Sequence, residues 1–392
     1  MDPLASFVVA SLRYGDAPID ARERLVDALP DAPLERAFVF ATCHRVEIYA
    51  LVDCELDDAA TLTRLGVAEA TAGLRLFRGQ EAARHLFRVA TGLDSLIQGE
   101  SQVLGQLRRM VEEAGLEGLL DAAVRRAVQV ARDIRARTAL GKVTRSLGSL
   151  AVDEALRPLA RPEDATVLVI GAGLIGKLAS RALSRRVRSL LIANRGEARA
   201  LELARRVGAE TVRLDEIDTA LARADAVISA ADTRGSLLDA RRLGQRLASG
   251  PLVVVDLAVP RSVGADARGL RGLTYRSADD LRDTAALPPE TIALAEQACG
   301  GAAARFASEC VAREATPVIQ ALHARADEHR RRQLARAMSK LGHLGDRDRE
   351  VVRALARSLT NALVHEPTVA LRAAPGRADA ARELFGLVER PR

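Results

Sequence analysis

The sequence predicts an α/β multidomain protein, with an α+β domain at the N-terminus, a parallel β-sheet of Rossmann type in the middle and an all-α helical domain at the C-terminus. Three observations support this fold class. Two apolar, strand-like runs flank a polar heptad at residues 41–47, another apolar run leads directly into a G-x-G-x-x-G motif at residues 171–176, and strand signals vanish after about Pro288. The domain boundaries predicted from these changes are 1–155, 156–286 and 287–392.

A chain of 392 residues, 48% hydrophobic and 28% charged, is long enough for two or three packed cores and is typical of globular proteins. Its formal charge of +6 is compatible with a polyanionic partner, although arginine supplies nearly all of the positive charge, as in proteins of GC-rich genomes. Only 3% of the residues are aromatic and Trp is absent from the sequence. We therefore expect RNA contacts through phosphate and shape rather than stacking, and no DNA partner.

The cysteine pattern and the hydropathy exclude several classes of protein. The four cysteines show neither a disulfide framework nor the spacing of a zinc site, so we expect no metal, and a reducing cytoplasmic location fits best. No apolar run of the sequence reaches the length of a membrane span, and the N-terminus lacks a signal-peptide pattern. We therefore expect no association with a membrane.

The polar heptad is the first candidate for chemistry. Residues 37–40 are apolar, and residues 46–52 alternate apolar and polar side chains, which is typical of a half-buried strand. The heptad is therefore predicted to turn between two strands and to hold a thiol, a guanidinium and a carboxylate at one rim. Cys43 is the candidate nucleophile, although most cysteines are simply small buried side chains.

The rest of the N-terminal domain predicts a strand at residues 7–10 and helices at 18–25, from Gln80 onward and at 121–138. His85 lies beside the apolar stripe of its helix, and on spacing alone a structural, partly buried histidine is the simpler interpretation. Residues 92–106 contain three glycines and several hydrogen-bonding side chains. Because packing alone rarely explains so many polar groups, this run is predicted to be a binding surface.

The middle domain begins with an apolar run at residues 165–170, as expected of a central parallel strand. The motif that follows has the strand before it and the helix after it that a dinucleotide-binding loop requires. Gly171 is predicted to permit the tight turn, Gly173 the approach of the pyrophosphate to backbone N–H groups, and Gly176 the packing of helix on strand. The complete set of residues predicted for this loop is Gly171, Ala172, Gly173, Leu174, Ile175 and Gly176.

The next predicted strand, Ser189–Ala193, ends at Asn194 and Arg195, where an NAD enzyme usually carries an acidic residue for the ribose 2′-hydroxyl. A guanidinium without that carboxylate favours a 2′-phosphate, so the predicted cofactor is NADPH. Two further strands, Ala226–Ser229 and Leu252–Asp256, complete the alternating pattern. Ser229 and residues 256–261 are expected to face the cofactor crevice, because open parallel sheets bind ligands at the carboxyl ends of their strands.

The C-terminal region predicts long helices at residues 292–318, 319–339 and 347–363. Apolar stripes on long helices without an obvious core usually pack against a partner, so the region is predicted to be a dimerisation domain. An autonomous three-helix bundle is the alternative. The closing residues 372–392 are expected to be loosely ordered.

Taken together, these motifs resemble the glutamyl-tRNA reductase family, and the resemblance spans nearly the whole chain. It includes the dinucleotide motif and several ordered blocks, which are residues 42–49, 85–86, 92–95, 99–106, 256–261, 359–361 and 365–368. The resemblance implies NADPH-dependent reduction of glutamyl-tRNA to glutamate 1-semialdehyde with release of tRNA, the first step of tetrapyrrole (porphyrin and haem) biosynthesis. It also implies a homodimer and suggests a second partner, the aminomutase that consumes the aldehyde.

The resemblance further implies roles for individual residues. Cys43 matches the nucleophile that forms a thioester with the glutamyl group, and His85 matches a histidine assigned near it. Arg45 matches a clamp for the substrate carboxylate. The substrate-binding set predicted in this way and from the polar run is Thr42, Arg45, Glu47, Ser95, Glu100, Gln102 and Gln106.

The chain also departs from the family pattern. His44 stands where Asn is common, Ser101 where Pro is common, and Ser277 where Asp is common; of the usual N-terminal motif only Ala17 and Pro18 remain. Two other hypotheses stay open. The chain could be a catalytically silent relative that binds tRNA or a tetrapyrrole enzyme as a regulator. It could also be an unrelated NADP dehydrogenase of the shikimate type, which would have no use for Cys43.

Overall fold

A computed structural model of the protein describes residues 4–29, 36–68, 73–113, 115–231, 235–283 and 287–387. The chain divides into two compact units, Ser6–Gly301 and a second unit of Ala302–Arg392 with Met1–Ala5. None of the helices in the described ranges combines the length and apolar character needed to span a bilayer.

The N-terminal part of the first unit is an antiparallel sheet with helices. Its elements are β1 (Phe7–Arg13), α1 (Ile19–Ala28), β2 (Ala37–Thr42), β3 (Arg45–Leu51), α2 (Asp58–Arg64), β4 (Arg75–Arg78), α3 (Gly79–Thr91), α4 (Gln102–Glu113), α5 (Gly118–Arg137) and α6 (Leu147–Leu156). The strand order is β2-β3-β1-β4. Because Thr42 pairs with Arg45 across β2 and β3, Cys43 and His44 form the two-residue turn of a hairpin, and the strand–turn–strand prediction is confirmed.

The half-buried character predicted for β3 is wrong, because residues on both of its faces are buried. Val46 and Ile48 belong to an apolar cluster that also contains Leu25 of α1. On the opposite face, Glu47 and Tyr49 are equally inaccessible to solvent. The alternation in the sequence therefore reflects a buried polar cluster and not a solvent-exposed face.

The middle part of the first unit is a parallel sheet with flanking helices, as predicted. Its elements are β5 (Thr166–Ile170), α7 (Leu174–Leu183), β6 (Ser189–Ala193), α8 (Glu197–Val207), β7 (Glu210–Val212), α9 (Ile217–Arg223), β8 (Ala226–Ser229), α10 (Ala240–Leu247), β9 (Leu252–Asp256) and β10 (Leu273–Ser277). The strand order β10-β9-β8-β5-β6-β7 places β5 between β6 and β8, where the direction of winding reverses. Ligands of such sheets bind beside the carboxyl ends of the strands at this reversal.

The C-terminal helices are α11 (Pro289–Lys340), α12 (Asp346–Ala373) and α13 (Ala378–Leu384). The two separate helices predicted for residues 292–318 and 319–339 are one continuous helix with Pro317 inside it, so that prediction is wrong. The neighbouring residue Val318 packs in a buried cluster with Leu371 and Ala378. This packing fixes the part of α11 that directly follows Pro317.

The loose order expected for residues 372–392 is also wrong for the part that is described. Ala378 and Ala381 of α13 are buried in the cluster that contains Val318 and Leu371. Burial of these apolar side chains stabilises the end of the chain, although the segment is rich in Ala and Arg. Residues 388–392 lie outside the described residues.

Candidate active site

The hairpin turn between β2 and β3 holds the candidate nucleophile beside a histidine. Sγ of Cys43 lies 3.4 Å from Nδ1 of His44, and Nε2 of His44 lies 3.4 Å from the carbonyl oxygen of Ala278. The backbone N–H of His44 donates to Oγ1 of Thr42 at 3.3 Å. Cys43 and His44 are 7% and 9% exposed, so the pair is held in a nearly closed environment.

The thiol is protonated in this environment. Burial raises the pKa of Cys43 to about 12; the nearby Glu100 carboxylate adds to the effect, and Arg22 opposes it. Burial lowers the pKa of His44 to about 4, against the hydrogen bond to Ala278 and with a further contribution from Arg22. At neutral pH the turn therefore presents a thiol and a neutral imidazole, and the thiol needs a base before it can act as a nucleophile.

Glu47 is the centre of a buried hydrogen-bonding cluster. Its carboxylate accepts hydrogen bonds from Oγ of Ser11 at 2.9 Å, the hydroxyl of Tyr49 at 2.6 Å, Nε2 of His85 at 2.8 Å and Nη1 of Arg45 at 3.3 Å. Burial alone would raise the pKa of Glu47, but the charges of His85 and Arg45 and the hydrogen bonds outweigh burial and lower it to about 2. The carboxylate is therefore ionised and organises its neighbours.

His85, predicted as a catalytic group, belongs to this cluster. Its imidazole is hydrogen-bonded to Glu47, and its ring stacks on Phe77 with centroids 4.3 Å apart and an interplanar angle of 15°. Neither contact involves Cys43. The geometry thus agrees with the structural interpretation of His85, and its catalytic role remains a prediction.

Arg45, the predicted substrate clamp, lies between two acidic residues. Its guanidinium donates to Glu47 and to the backbone carbonyl of Asp94, and Nη1 lies 3.7 Å from the Asp94 carboxylate. Arg13 and Arg88 also pair with Asp94, the latter at 3.4 Å. Asp94 therefore positions three arginines. Its place in the polar run and in the ordered block 92–95 is the signal that the sequence offers for such a role.

A cavity of about 530 Å³ opens beside the hairpin turn. Its lining includes His44, Ser95 and the group formed by Arg13, Arg88 and Asp94. A smaller cavity of about 210 Å³ lies beside the same Arg13–Asp94–Arg88 group and is lined by His85. The larger cavity presents both positive and negative groups, which suits a small zwitterion such as an amino acid.

Three of the predicted substrate-binding side chains keep buried polar atoms without a hydrogen bond among the described residues: Oγ of Ser95, Oε2 of Glu100 and Nε2 of Gln102. Burial raises the pKa of Glu100 to about 7, against the charge of Arg45 and the nearby Ser95 hydroxyl. The Ser95 hydroxyl thus lies close enough to Glu100 to lower the pKa of its carboxyl group, although the two groups do not meet the geometry of a hydrogen bond. Gln106 follows Gln102 by one turn on α4 and is half-buried. Buried polar groups of this kind are available to a bound ligand.

The dinucleotide motif has the geometry that a pyrophosphate-binding loop requires. Gly171 has φ +107°, and a Cβ there would meet the carbonyl oxygen of Ala230, while a Cβ at Gly176 would collide with the carbonyl oxygen of Gly171. A Cβ at Gly173 would point into open space, which leaves room for a phosphate at the beginning of α7. Ala172, Leu174 and Ile175 complete the same loop.

Asn194 supports this loop from the end of β6. Its Oδ1 accepts from the backbone N–H of Ala172 at 3.0 Å, and its Nδ2 donates to the carbonyl oxygen of Gly196 at 2.9 Å. Arg195 follows and is exposed. The residues that match the motif therefore fit a bound dinucleotide. Asn194 holds the loop, and the Arg195 side chain is exposed at the carboxyl end of β6.

The expectation that Ser229 and Asp256 face the crevice is wrong. Both are completely buried, and Oγ of Ser262 lies 2.7 Å from Oγ of Ser229 and 3.0 Å from Oδ1 of Asp256. Asp256 also accepts the backbone N–H groups of Ala258 and Val263, so its carboxylate fixes the loop that follows β9. These polar groups stabilise the fold rather than contact a ligand.

The same loop contacts the N-terminal domain. Arg261 pairs with Glu23 at 2.5 Å and with Asp20, both on α1, and Arg22 of α1 pairs with Asp279. Cys43 is also part of the buried apolar cluster that contains Ala172 and Ala278 of the middle domain. The nucleophile turn is therefore packed directly against the domain that carries the dinucleotide motif.

Comparison with known proteins covers the three regions separately. Residues 11–138 match the model of the glutamyl-tRNAGlu reductase N-terminal domain, residues 153–284 that of shikimate/quinate 5-dehydrogenase, and residues 294–387 that of the glutamyl-tRNAGlu reductase dimerisation domain. The middle match implies a nicotinamide cofactor, and the last one supports a homodimer.

Whole-chain relatives agree with these matches. The chain is 34% identical to the glutamyl-tRNA reductase of Myxococcus xanthus, over 97% of this chain and 94% of that protein, and 37% identical to that of Stenotrophomonas maltophilia, over 95% and 92%. The solved glutamyl-tRNA reductase from Methanopyrus kandleri is 28% identical, with 98% of both chains covered and a TM-score of 0.48. The family-model matches and the two sequence relatives show that the chain belongs to the glutamyl-tRNA reductase family.

Proposed function

We propose that this protein reduces glutamyl-tRNA with NADPH to glutamate 1-semialdehyde and free tRNA, through a thioester on Cys43, as the first step of tetrapyrrole biosynthesis. The observation that carries the proposal is the position of Cys43. The thiol lies in a hairpin turn whose other residue, His44, lines a charged cavity, and it packs against the domain with the dinucleotide motif. A nucleophile that must receive an acyl group and then present it for reduction needs a substrate cavity and a cofactor-binding domain beside it.

Residues in and around the cavity divide the recognition of the glutamyl group between them. Arg45 supplies a planar guanidinium for a carboxylate, and Glu47 and Asp94 fix its orientation. The orphaned groups of Ser95, Glu100 and Gln102 are the partners that the ammonium and carbonyl groups of the substrate would satisfy. Thr42 and Gln106 complete the predicted substrate-binding set.

The glycine loop would hold the NADPH pyrophosphate at the beginning of α7, and Asn194 keeps that loop in place. Arg195 would pair with the 2′-phosphate that distinguishes NADPH from NADH. Bound NADPH would supply the hydride that reduces the acyl group to the aldehyde.

The chemistry of the first step follows from the thiol. Sγ of Cys43 attacks the ester carbonyl, the S–H bond is broken as the S–C bond forms, and the C–O bond to the terminal ribose breaks with protonation of the ribose oxygen. A thioester is the useful product because a thiolate is also a good leaving group after reduction. The residues that carry out this step lie within 1–155, those that bind the cofactor within 156–286, and those that form the dimer within 287–392.

The assembly and location of the protein are part of the same proposal. An apolar groove of about 470 Å³ between α11 and α12 is lined by Leu355, Leu359 and Leu363 and suits a second copy of the chain. A reactive aldehyde product favours direct transfer to the aminomutase that consumes it. None of the four cysteines, all of which lie in the described ranges, forms a disulfide, which agrees with a reducing, cytoplasmic compartment.

A turnover assay with defined substrates tests this proposal. We expect the purified protein to convert charged glutamyl-tRNA and NADPH to semialdehyde and free tRNA, measured separately, and to leave free glutamate unchanged. Activity on a small hydroxy acid without tRNA would favour a shikimate-type dehydrogenase. Tight tRNA binding without any product would favour a catalytically silent relative.

A further inference from the structure

His44 occupies a position between the nucleophile and the dinucleotide-binding domain. We propose that His44 is the general base that removes the proton from the Cys43 thiol, with the carbonyl group of Ala278 holding its imidazole in the reactive tautomer. This inference rests on the proposed function and adds to it a residue at which this chain departs from the pattern of the family it resembles.

The tautomer follows from the two contacts of the ring. A carbonyl oxygen only accepts hydrogen bonds, so Nε2 of His44, 3.4 Å from the oxygen of Ala278, carries a hydrogen. The imidazole is neutral because burial lowers its pKa to about 4, so it has one N–H and the other nitrogen has a free lone pair. That nitrogen, Nδ1, is the one that lies 3.4 Å from Sγ of Cys43.

The arrangement contains the three parts of an activated nucleophile: the nucleophile, a base in contact with it and a group that orients the base. Both contacts are long, as catalytic hydrogen bonds often are before a substrate is bound. Two contacts with Tyr14 hold the residue: its backbone N–H donates to the backbone carbonyl oxygen of His44 at 2.6 Å, and its ring meets the imidazole edge-on with the centroids 5.8 Å apart.

The other titratable groups near the site are less suited to this task. His85 is bound to the ionised Glu47 and lines the smaller cavity, whereas His44 lines the larger one. Glu100 acts on the Cys43 thiol as a nearby charge without a hydrogen bond to it. His44 is therefore the group that has a basic atom in contact with Sγ in the described part of the chain.

The proton transfers balance within one acyl-transfer step. As Sγ of Cys43 bonds to the ester carbon, the thiol proton passes to Nδ1 of His44 and produces an imidazolium. When the C–O bond breaks, Nδ1 returns this proton to the departing ribose oxygen, which leaves as a hydroxyl. The step forms one S–C bond and one O–H bond at the expense of one S–H bond and one C–O bond, and involves no oxidation or reduction.

The charged groups around the Cys43–His44 dyad determine how its reaction rate depends on pH. His44 faces the arginines of α1 and β3, Arg22 and Arg45, which disfavour its protonated form, and Cys43 faces Glu100 and Asp279, which disfavour the thiolate. A free thiolate is therefore rare at neutral pH, and the neutral imidazole is available as a base above about pH 4. Reaction through the dyad should change little with pH, whereas reaction through a preformed thiolate should rise about tenfold per pH unit.

Two substitutions test the role of His44. His44→Asn and His44→Gln keep a polar side chain at the position but remove the basic nitrogen. His343→Asn is the matched control, since His343 is exposed in the turn between α11 and α12. The melting temperature of each variant establishes that it is folded.

The first measurement is release of tRNA from glutamyl-tRNA in a single turnover without NADPH. We expect both His44 variants to release tRNA about 100-fold more slowly than the parent at saturation, with a much smaller change in the enzyme concentration that gives half the maximal rate, because a positioned general base contributes roughly that factor. The control should match the parent. Release by a folded His44 variant at the rate and pH profile of the parent would overturn the proposal.

The second measurement needs no tRNA and remains decisive if the proposed function fails. The rate at which iodoacetamide alkylates Cys43 is followed by mass spectrometry of its peptide between about pH 6 and pH 9. We expect a nearly flat profile for the parent and a rise of about tenfold per pH unit for the His44 variants. If the parent itself shows the steep profile, His44 does not act as the base. This conclusion depends on the parent alone and therefore holds even if neither variant folds.

Discussion

The ionised carboxylate of Glu47 accepts a hydrogen bond from Nε2 of His85 at 2.8 Å, and both side chains are buried. Ser11, Tyr49 and Arg45 donate to the same carboxylate. This cluster joins β1, β3 and α3, and it fixes Arg45, which also contacts Asp94 in the lining of the cavity. The integrity of the site therefore depends on a carboxylate that need not contact the substrate.

Glu47→Gln tests the contribution of this cluster to stability. The amide would direct an NH₂ group at side chains that already donate, so we expect a loss of about 3–5 kcal/mol in the free energy of unfolding of the N-terminal domain. Thermal unfolding measures the effect. Glu55→Gln, at an exposed position, should leave the melting temperature unchanged.

The loss of stability in Glu47→Gln should also depend on pH. The pKa of Glu47 is lowered to about 2 from an ordinary value of 4.5, so its carboxylate stabilises the folded state fully above about pH 4.5, and this contribution is lost as the pH falls toward 2. The difference in melting temperature between parent and Glu47→Gln should therefore narrow below about pH 4.5. A difference that stays constant through this range would contradict the role assigned to the carboxylate.

Arg195→Ala tests the preference for NADPH. Loss of a guanidinium that pairs with the 2′-phosphate should raise KM for NADPH about tenfold, because a hydrogen bond to a charged group contributes at least about 1.5 kcal/mol. KM for NADH should not change. Arg199→Ala, on the exposed surface of α8, is the control. Equal use of NADH and NADPH by the parent would exclude this role for Arg195.

The dimer proposal predicts the effect of a charge in the apolar groove of α12. Leu359 and Leu363 are 56% and 77% exposed in this structure of one chain, which is costly for adjacent leucines unless a partner covers them. Leu359→Asp with Leu363→Asp should convert the dimer to a monomer in light-scattering measurements. Leu201→Asp, at an exposed leucine of the middle domain, should not. A parent protein that is already monomeric would refute this surface.

Local patterns predicted the elements that contain the site. The hairpin turn at Cys43 follows from two strand-like runs of the right spacing, and the glycine motif follows from a strand before it and a helix after it. In both cases the chemistry and the backbone geometry are encoded by residues that are adjacent in sequence.

Contacts between distant residues could not be predicted in the same way. Glu47 and His85 are 38 positions apart, and the carbonyl of Ala278 reaches His44 across 234 positions. Neither periodicity nor spacing reports which side chains the tertiary fold brings together. The role of Asp94 cannot be predicted from the sequence for the same reason, because its three arginines come from β1, β3 and α3.

The covalent intermediate on Cys43 is the centre of this account. Incubation with tRNA charged with labelled glutamate, without NADPH, should leave the label on the Cys43 peptide and release tRNA, and later addition of NADPH should convert the label to semialdehyde. Cys43→Ser should bind the charged tRNA but retain no label and form no semialdehyde. Undiminished turnover by Cys43→Ser, or label recovered on another residue, would contradict the thioester mechanism.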